Sequence, residues 1–372
     1  MSDWWQTTIG ELLTLEYGKP LPEKARDGQG FPVYGSNGIV GYHSQAMVKG
    51  PGIVVGRKGS SGTVNFSEGD FSPIDTAFYV LVKDSTQIGM EFAYHLLVNA
   101  KLTELTTQTG VPGLTRSRAY EIRVALPPVP LQERIVEVIS AVDDQITALE
   151  AEAVALEGMY RAATSLLWRT SQGDEAEPRP LSDVMHLDIA RTPMESGTTY
   201  HLAGVLNSGK GLVDKEAFDG ADTEYKAMNI LRKNQVVMRK LTAWEGPITV
   251  VPAEFDGFVA SNEFPTFTLA SDIDPGWMKH VCRTPRLWAE MQSRVVGTVQ
   301  RRKRLNPDQL LIVTLPVPHR REQEQAADAL DAIEGQVATL RTEADRLRNV
   351  RAGLLSGLLD RTIDIESAEL GV

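Results

Sequence analysis

The sequence predicts an α+β fold: two similar mixed α/β domains, each followed by a long helix, with the two helices packing against each other. Two proline-free segments carry apolar residues at heptad spacing. The second segment repeats the first at a constant offset, and each follows a block of short apolar runs broken by Gly and Pro. At 372 residues the chain exceeds a common single domain, which agrees with this repeated plan.

The two globular blocks are predicted to cover residues 1–125 and 181–317, with a polar linker over residues 170–180. Runs such as GIVV, AFYVL, QVVM and ITVV are typical of strands. The stretch FAYHLLVNAKLTEL predicts a short helix in the first block. Its counterpart in the second block is WMKHVCRTPRLWAEM, which we expect Pro285 to interrupt.

The long helices are predicted over residues 126–169 and 318–360, and residues 361–372 form a tail. The apolar seam of the first helix comprises Ile135, Ile139, Val142, Ile146, Leu149, Ala153, Leu156, Tyr160, Ala163 and Leu167. An offset of 191 gives the second seam: Ala326, Leu330, Ile333, Val337, Leu340, Ala344, Leu347, Arg351, Leu354 and Leu358. Arg351 is the exception among these apolar residues, and we expect its charged end to extend outward.

The globular blocks repeat more loosely. IGELLTLEYGK at residues 9–19 resembles LSDVMHLDIAR at 181–191, and FYVL at 78–81 resembles TFTL at 266–269. VVGRK at residues 54–58 resembles VVMRK at 236–240. This last match predicts that Arg239 and Lys240 are the counterparts of Arg57 and Lys58.

The formal net charge of −11 is unevenly distributed. Residues 131–180 carry a net charge of −6 and residues 321–372 carry −5, whereas residues 1–130 and 181–320 carry −1 and +1. An acidic total therefore does not exclude a nucleic-acid partner for the two globular blocks. A single cysteine, an N-terminus without signal-peptide character and no long apolar run predict a cytoplasmic protein without a membrane partner.

The chain resembles the specificity subunits of type I restriction-modification systems. The resemblance is carried by VYGSNGIVGY at residues 33–42, VGRKGSSGTV at 55–64 and LPPVPLQERI at 126–135, in this order, with a heptad helix after each block. The second half departs more, because its lead-in is LPVPHRREQ and it lacks a comparable Gly-rich passage.

The resemblance implies that the two blocks are target-recognition domains, which read the parts of a split, asymmetric sequence in double-stranded DNA. It also implies that the helices pair antiparallel, set the spacing and dock DNA methyltransferase subunits, and that restriction or motor subunits can join. The chain itself is then non-catalytic and binds no cofactor. S-adenosylmethionine, together with ATP and Mg²⁺ where restriction is present, belongs to the partner subunits.

Candidate DNA-binding residues lie in loops that combine cations, small polar side chains and glycine. In the first block they are Tyr34, Ser36, Asn37, Arg57, Lys58, Ser60, Ser61, Arg116 and Arg118. In the second block they are Arg239, Lys240, Thr242, Trp244, Arg301, Arg302, Lys303 and Arg304, the last four within the basic run RVVGTVQRRKR. An ordinary turn at residues 34–37 and a core position for Trp244 remain alternatives.

Motifs for nucleotide binding or catalysis are weaker in this sequence. GVLNSGKG at residues 204–211 lacks the hydroxyl residue that a phosphate-binding loop places after Lys210, so we predict an ordinary loop. His95 and His280 occupy similar places on predicted helices and are expected to be structural. Two alternatives stay open: a Mg²⁺-dependent nuclease using Asp214, Glu224 and Lys226, and a coiled-coil adaptor without a DNA role.

Overall fold

The structure is a computed structural model that describes residues 4–105, 113–168, 177–297 and 303–365. The chain forms two compact units. Unit 1 comprises Met1–Glu150 and Thr342–Val372, and unit 2 comprises Ala151–Arg341. Each unit therefore contains one mixed α/β domain and a part of both long helices, and the predicted fold class is confirmed.

Unit 1 is built on a four-stranded antiparallel sheet. The strands of unit 1 as a whole are β1 Trp5–Thr8, β2 Leu13–Tyr17, β3 Phe31–Gly35, β4 Gly38–His43, β5 Gly52–Gly56, β6 Val64–Ser67, β7 Ser72–Pro73, β8 Ala77–Val82 and β9 Arg123–Leu126. The main sheet has the order β2-β8-β5-β6, a smaller sheet has the order β4-β3-β7, and β1 pairs with β9. Alternation along β5 sends Ile53 and Val55 into the main core and Val54 into a small second core.

The helices of unit 1 cover one face of this sheet. They are α1 Ile9–Leu12, α2 Met90–Asn99, α3 Arg116–Tyr120 and the first part of α4 Val129–Leu166, with 3₁₀ turns at Glu23–Ala25 and Leu102–Leu105. A capping box between Thr8 and Glu11 begins α1. Helix α2 buries Phe92, Leu96 and Leu97 in the core.

Unit 2 repeats the main sheet and adds shorter strands. Its strands are β10 Glu177–Pro180, β11 Met185–Leu187, β12 Ala190–Pro193, β13 Thr199–Tyr200, β14 Ala203–Val205, β15 Leu212–Asp214, β16 Phe218–Asp219, β17 Ala227–Ile230, β18 Val236–Met238, β19 Ile248–Val250, β20 Val259–Ala260, β21 Thr266–Leu269 and β22 Thr314–Val317. The main sheet has the order β11-β21-β18-β19, which matches that of unit 1, and a second sheet has the order β12-β17-β20. The pairs β10-β22, β13-β16 and β14-β15 complete the unit.

The helices of unit 2 follow the same plan. They are α5 Leu181–Val184, α6 Pro275–Cys282, α7 Pro285–Arg294, α8 Pro307–Leu311 and the first part of α9 Arg320–Leu359, with 3₁₀ turns at Gly220–Asp222, Ala243–Glu245 and Ala253–Phe255. Pro285 divides α6 from α7, as predicted, and occupies the first turn of α7, where a missing N–H costs no hydrogen bond. The resemblance between residues 9–19 and 181–191 is confirmed, because a short helix followed by an edge strand occupies both stretches.

The long helices pack antiparallel inside each unit. In unit 1, Asp143 of α4 pairs with Arg351 of α9, and Glu150 pairs with Arg348. Residue numbers increase along α4 while those of the partners decrease along α9, so the helices are antiparallel. In unit 2, Glu157 of α4 pairs with Arg341 of α9. Every predicted seam position is buried or half-buried, which is the pattern a heptad repeat produces when helices pair side by side.

The expectation for Arg351 was wrong. Its side chain is only 15% exposed, and its Nε and Nη2 atoms donate to the two carboxylate oxygens of Asp143 at 2.5 and 2.8 Å. A bidentate pair of this kind satisfies the guanidinium without solvent. Arg351 thus turns inward and forms a polar contact within the helix pair.

A buried glutamine holds the start of α4 against α2. Gln132 is 2% exposed, and its Nε2 donates to Gln87 O at 2.7 Å and Pro127 O at 2.9 Å. Its Oε1 accepts from the backbone N–H of Gly89, the N-cap of α2, at 3.3 Å. The side chain therefore satisfies three backbone groups where the helix meets the domain.

The same device recurs in unit 2. Gln323 is 1% exposed, and its Nε2 donates to Asp272 O at 3.1 Å and Pro318 O at 2.9 Å. Its Oε1 accepts from Asp274 N, the N-cap of α6, at 2.8 Å. Gln132 and Gln323 are separated by the same offset as the helix seams, so the repeat extends to the hydrogen bonds at the helix entry.

Candidate nucleic-acid interface

In unit 1 the predicted cations Arg57 and Lys58 directly follow β5. The backbone N–H of Leu114 donates to Arg57 O at 3.0 Å, which ties this strand end to the segment that leads into α3. The Arg57 guanidinium donates from Nη1 to Asp75 O at 3.0 Å, whereas Lys58 is exposed. At this strand end, the Arg57 side chain is held by a hydrogen bond, whereas the Lys58 side chain is exposed to solvent.

Arg116 and Arg57 contact the same aromatic ring, that of Tyr17. Its Cζ is 3.9 Å from the centroid of the Tyr17 ring, and that of Arg57 is 4.7 Å from the same centroid. Both distances lie within cation–π range. Sequence reasoning missed Tyr17. The available signal was an aromatic residue at a strand end in a repeated segment, and the structure leaves it 49% exposed.

Two glycine-bounded turns of unit 1 meet beside this strand end. The hydroxyl of Thr63 lies within hydrogen-bond distance of Ser36 O in one turn and of Ser60 O, at 3.0 Å, in the other. Asn37 and Ser60 are exposed, whereas Ser61 is buried and its hydroxyl has no hydrogen-bond partner among the described residues. The structure thus brings together the predicted polar loop residues 36–37 and 60–61.

Two other predicted residues of unit 1 are occupied by contacts within the domain. Tyr34 is 6% exposed, and its ring meets Phe71 edge to face at a centroid distance of 5.9 Å. Arg118 is exposed and donates from Nη1 to Leu105 O at 3.1 Å. Tyr34 therefore stabilises the small second core beneath the turn at residues 36–37.

In unit 2 the correspondence with the first strand end is shifted by one residue. The hydrogen bonds that define it are Gly56 N to Thr63 O, Arg57 N to Thr76 O, Arg239 N to Pro247 O and Lys240 N to Glu263 O. Gly56 and Arg239 both donate to the residue just before the strand on one side, β6 or β19. Arg57 and Lys240 both donate to the segment leading into the strand on the other side, β8 or β21. Arg239 therefore corresponds to Gly56, and Lys240 to Arg57. The expected match of Arg239 with Arg57 was therefore wrong by one residue. The shift matters because successive residues of a strand face opposite sides, so Arg239 and Arg57 point in different directions.

Arg239 organises the loops of unit 2. Its guanidinium donates to backbone oxygens of Leu241 and Val205 at 3.0 and 3.4 Å, and to side chains of Asn207, Thr242 and Glu245 at 2.8, 2.7 and 3.0 Å. These bonds engage four of the five N–H donors of the arginine, because three of the five acceptors share the two hydrogens of Nη2. Little hydrogen-bonding capacity is left for a ligand.

Lys240 and Arg304 converge on one carboxylate. Glu263 is 4.0 Å from Lys240 Nζ and 3.5 Å from Arg304 Nη2. The backbone N–H of Leu305 donates to Lys240 O at 3.0 Å, as Leu114 does to Arg57. Lys303 is half-buried next to this exposed arginine. The predicted residues Arg301 and Arg302 lie outside the described residues.

The remaining two predicted residues lie in the 3₁₀ turn at Ala243–Glu245. Thr242 precedes it with a φ of 58° and holds Arg239 through its hydroxyl. Trp244 is half-buried, and its Nε1 is buried without a hydrogen-bond partner among the described residues. Whether these two side chains contact DNA stays a prediction, as it does for the other candidates.

The motif at residues 204–211 is a hairpin turn between β14 and β15. Leu206 N donates to Gly211 O at 3.0 Å, and Lys210 N donates to Asn207 O at 3.2 Å. Gly209 N is also bonded, to Gly246 O at 2.9 Å. The backbone donors that a phosphate-binding loop needs are therefore engaged within the domain.

Among the described residues, the set of three potential metal ligands is His280, Asp331 and Glu334, all in unit 2. Lys279 forms an ion pair with Asp331, and Arg283 forms one with Glu334, so both carboxylates already have cationic partners. This cluster does not include Asp214 or Glu224. The nuclease alternative therefore gains no support from the structure.

The two histidines on α2 and α6 are buried against the long helices. His95 Nδ1 lies 3.5 Å from Arg351 Nη2, and burial together with this cation lowers the pKa of His95 to about 4. His280 contacts Tyr160 Oη and Asp331 Oδ1, each at 2.9 Å, and burial is the main cause that lowers the pKa of His280. These environments favour neutral imidazoles inside the fold.

Known proteins match this chain in sequence and in fold. Residues 1–157 match the family described as type I restriction modification DNA specificity domain. The type I restriction enzyme EcoprrI specificity subunit of Escherichia coli is 23% identical over 166 residues, which is 43% of this chain and 41% of that protein. The match thus spans about two fifths of the curated relative.

Two solved structures share the architecture. The type I restriction-modification S subunit from M. genitalium has a TM-score of 0.60 at 15% identity and 96% coverage of both chains. The HsdS subunit from Thermoanaerobacter tengcongensis has a TM-score of 0.50 at 16% identity and 97% coverage of both. At these identities the likeness shows the fold.

The sequence match and the fold likeness both point to proteins of the DNA-specificity class. The match to the type I restriction modification DNA specificity domain covers residues 1–157, and the predicted resemblance to type I specificity subunits is confirmed. Among the described residues, no helix combines the length and apolar character needed to cross a bilayer.

Proposed function

We propose that this chain reads DNA sequence for a type I restriction-modification assembly, with each unit binding one part of a split, asymmetric target. One observation carries the proposal. Equivalent backbone hydrogen bonds fix a cation at the corresponding strand end of each unit. They run from Leu114 N to Arg57 O in unit 1 and from Leu305 N to Lys240 O in unit 2. A second cation, Arg116 or Arg304, lies near each of them.

This arrangement suits duplex DNA. Cations neutralise phosphates, and Arg or Lys at a groove can donate to the acceptor edge of guanine. The net charges of −6 and −5 fall on residues 131–180 and 321–372, which include most of the long helices. Those acidic surfaces repel phosphate and are better suited to protein partners.

The partners in this proposal are double-stranded DNA and DNA methyltransferase subunits, which dock on the long helices, and restriction or motor subunits can join. This chain binds no cofactor. S-adenosylmethionine is held by the methyltransferase subunits, and ATP with Mg²⁺ by restriction subunits where they are present. Methylation of adenine within a duplex requires base flipping, which those catalytic partners perform.

Mapping methylated adenines in the source genome tests the proposal. We expect a motif of two defined parts separated by unspecified bases, modified on both strands, which disappears when the gene for this chain is disrupted. A methylation map that stays unchanged after disruption would rule out a role in target recognition. An uninterrupted motif would rule out the split target while leaving DNA recognition intact.

A further inference from the structure

We propose that Tyr17 is a positioning residue whose ring holds Arg57 and Arg116 as one fixed pair for the acceptor edge of a guanine. This inference rests on the proposed function and adds a base chemistry to unit 1. Neither the family match nor the sequence patterns assigned a role to Tyr17. The exposed ring ends β2, beside the strand end at Arg57.

The geometry joins four side chains. Arg116 Cζ and Arg57 Cζ lie 3.9 and 4.7 Å from the Tyr17 centroid, and 5.6 and 6.0 Å from that of Phe78. The two rings are tilted by 47° at a centroid distance of 5.1 Å. Phe78 is 1% exposed, so the core fixes one ring and that ring supports the other.

Two like charges beside one ring need an anionic or acceptor-rich partner. Glu16 Oε2 lies 3.7 Å from Arg116 Nη2 and forms an ion pair with that arginine. Arg57 spends one donor on Asp75 O. The Nε of Arg116 is buried and out of reach of a ligand, so the Nη groups of Arg116 are the donors it can offer. Aromatic faces attract the cations without using their N–H donors, so most donors remain for a ligand.

Fixed orientation favours a base edge over a phosphate. A guanine offers O6 and N7 at a set spacing, which a restrained guanidinium matches with two hydrogen bonds. A phosphate accepts from many directions and suits a flexible cation such as the neighbouring exposed Lys58. Restraint before binding also lowers the entropy that ordering would cost.

The test uses the full chain in complex with its methyltransferase subunits, and duplexes carrying the motif obtained from methylation mapping. Each base pair of the part read by unit 1 is replaced in turn, and affinities are measured for wild type, Tyr17→Phe and Tyr17→Leu. We expect Tyr17→Leu to reduce discrimination at one G·C pair by roughly fivefold or more. Tyr17→Phe keeps the ring and is expected to stay within about twofold of wild type.

Tyr225→Leu provides a matched control, because Tyr225 of unit 2 is 47% exposed and Tyr17 is 49% exposed. It should leave discrimination in the first part unchanged. Three results would overturn the inference: retained discrimination in Tyr17→Leu, an equal loss in Tyr17→Phe, or an equal weakening on every duplex, which indicates phosphate binding. If wild type itself does not prefer the mapped motif, the proposed function fails instead.

Discussion

Arg239 and Lys240 are adjacent cations at the end of β18 with different surroundings. Arg239 donates to acceptors on two loops, at Val205 and Asn207 on one side and at Thr242 on the other. Lys240 has one carboxylate partner among the described residues, at 4.0 Å. A guanidinium with most of its donors engaged stabilises the loops, whereas a loosely paired ammonium remains available for phosphate.

We therefore predict opposite phenotypes for two matched variants. Arg239→Gln should lower the free energy of unfolding by about 2 kcal/mol, because several partly buried acceptors lose their donors. Lys240→Gln should change it by less than about 0.5 kcal/mol. It should also lower the slope of log affinity for DNA against log salt by about 1. Chemical unfolding and a salt series measure both effects, and an interchange of the two phenotypes would contradict the assignment.

His95 makes stability depend on pH. Its pKa in the folded state is about 4, below the ordinary value of 6.5, because it is buried next to Arg351. The unfolded chain therefore binds a proton more readily. The contribution is fully present above pH 6.5 and is lost as pH falls towards 4, by about 3 kcal/mol.

The free energy of unfolding measured from pH 7 to 4.5 checks this expectation. His95→Asn retains an acceptor for Arg351 but no titrating group, so its stability should fall less steeply over this range. A variant with the same pH slope as wild type would show that His95 does not cause the acid sensitivity.

At the scale of elements, each long helix is joined to its domain through hydrogen bonds as well as apolar contacts. In unit 1, Ile135 and Ile139 of α4 and Leu358 of α9 lie in the core of the α/β domain. The Gln132 side chain adds three hydrogen bonds at the helix entry. These contacts together determine how the helix leaves the domain.

Gln132→Leu conserves approximate volume but leaves two carbonyls and one N–H unsatisfied, so we expect a loss of about 3 kcal/mol of stability. Gln323→Leu removes the same set of hydrogen bonds in unit 2 and should cost a similar amount. Gln145→Leu, at an exposed position of α4, serves as the control and should stay within about 0.5 kcal/mol. Equal stability of Gln132→Leu and Gln145→Leu would show that the buried hydrogen bonds contribute nothing.

Helices were easier to predict than strand registers. The heptad seams give the long helices because a repeated apolar stripe has few alternatives. The match of VVGRK with VVMRK placed β18 one residue out, since short apolar strands look alike at either register and only their hydrogen-bond partners differ. Arg351 was misjudged because its partner Asp143 is 208 residues away in sequence.

At the scale of the whole molecule, the sequence predicted two domains and two helices but not the composition of the compact units. Unit 1 combines residues 1–150 with residues 342–372, because the end of α9 packs into the first core. The candidate site was predicted in part: the cations at both strand ends were found, whereas the Tyr17 ring and the hydrogen bonds of Arg239 were not. Both depend on contacts between segments distant in the sequence, which periodicity does not encode.

The central claim is that the two units read separate parts of one DNA target. Exchange of residues 1–125 for the equivalent domain of a relative tests it most directly, provided that the core contacts of Ile135, Ile139 and Leu358 are kept. Methylation mapping in cells that carry the exchanged chain should show one part of the motif replaced and the other unchanged. A map in which both parts change together, or neither does, would contradict the account.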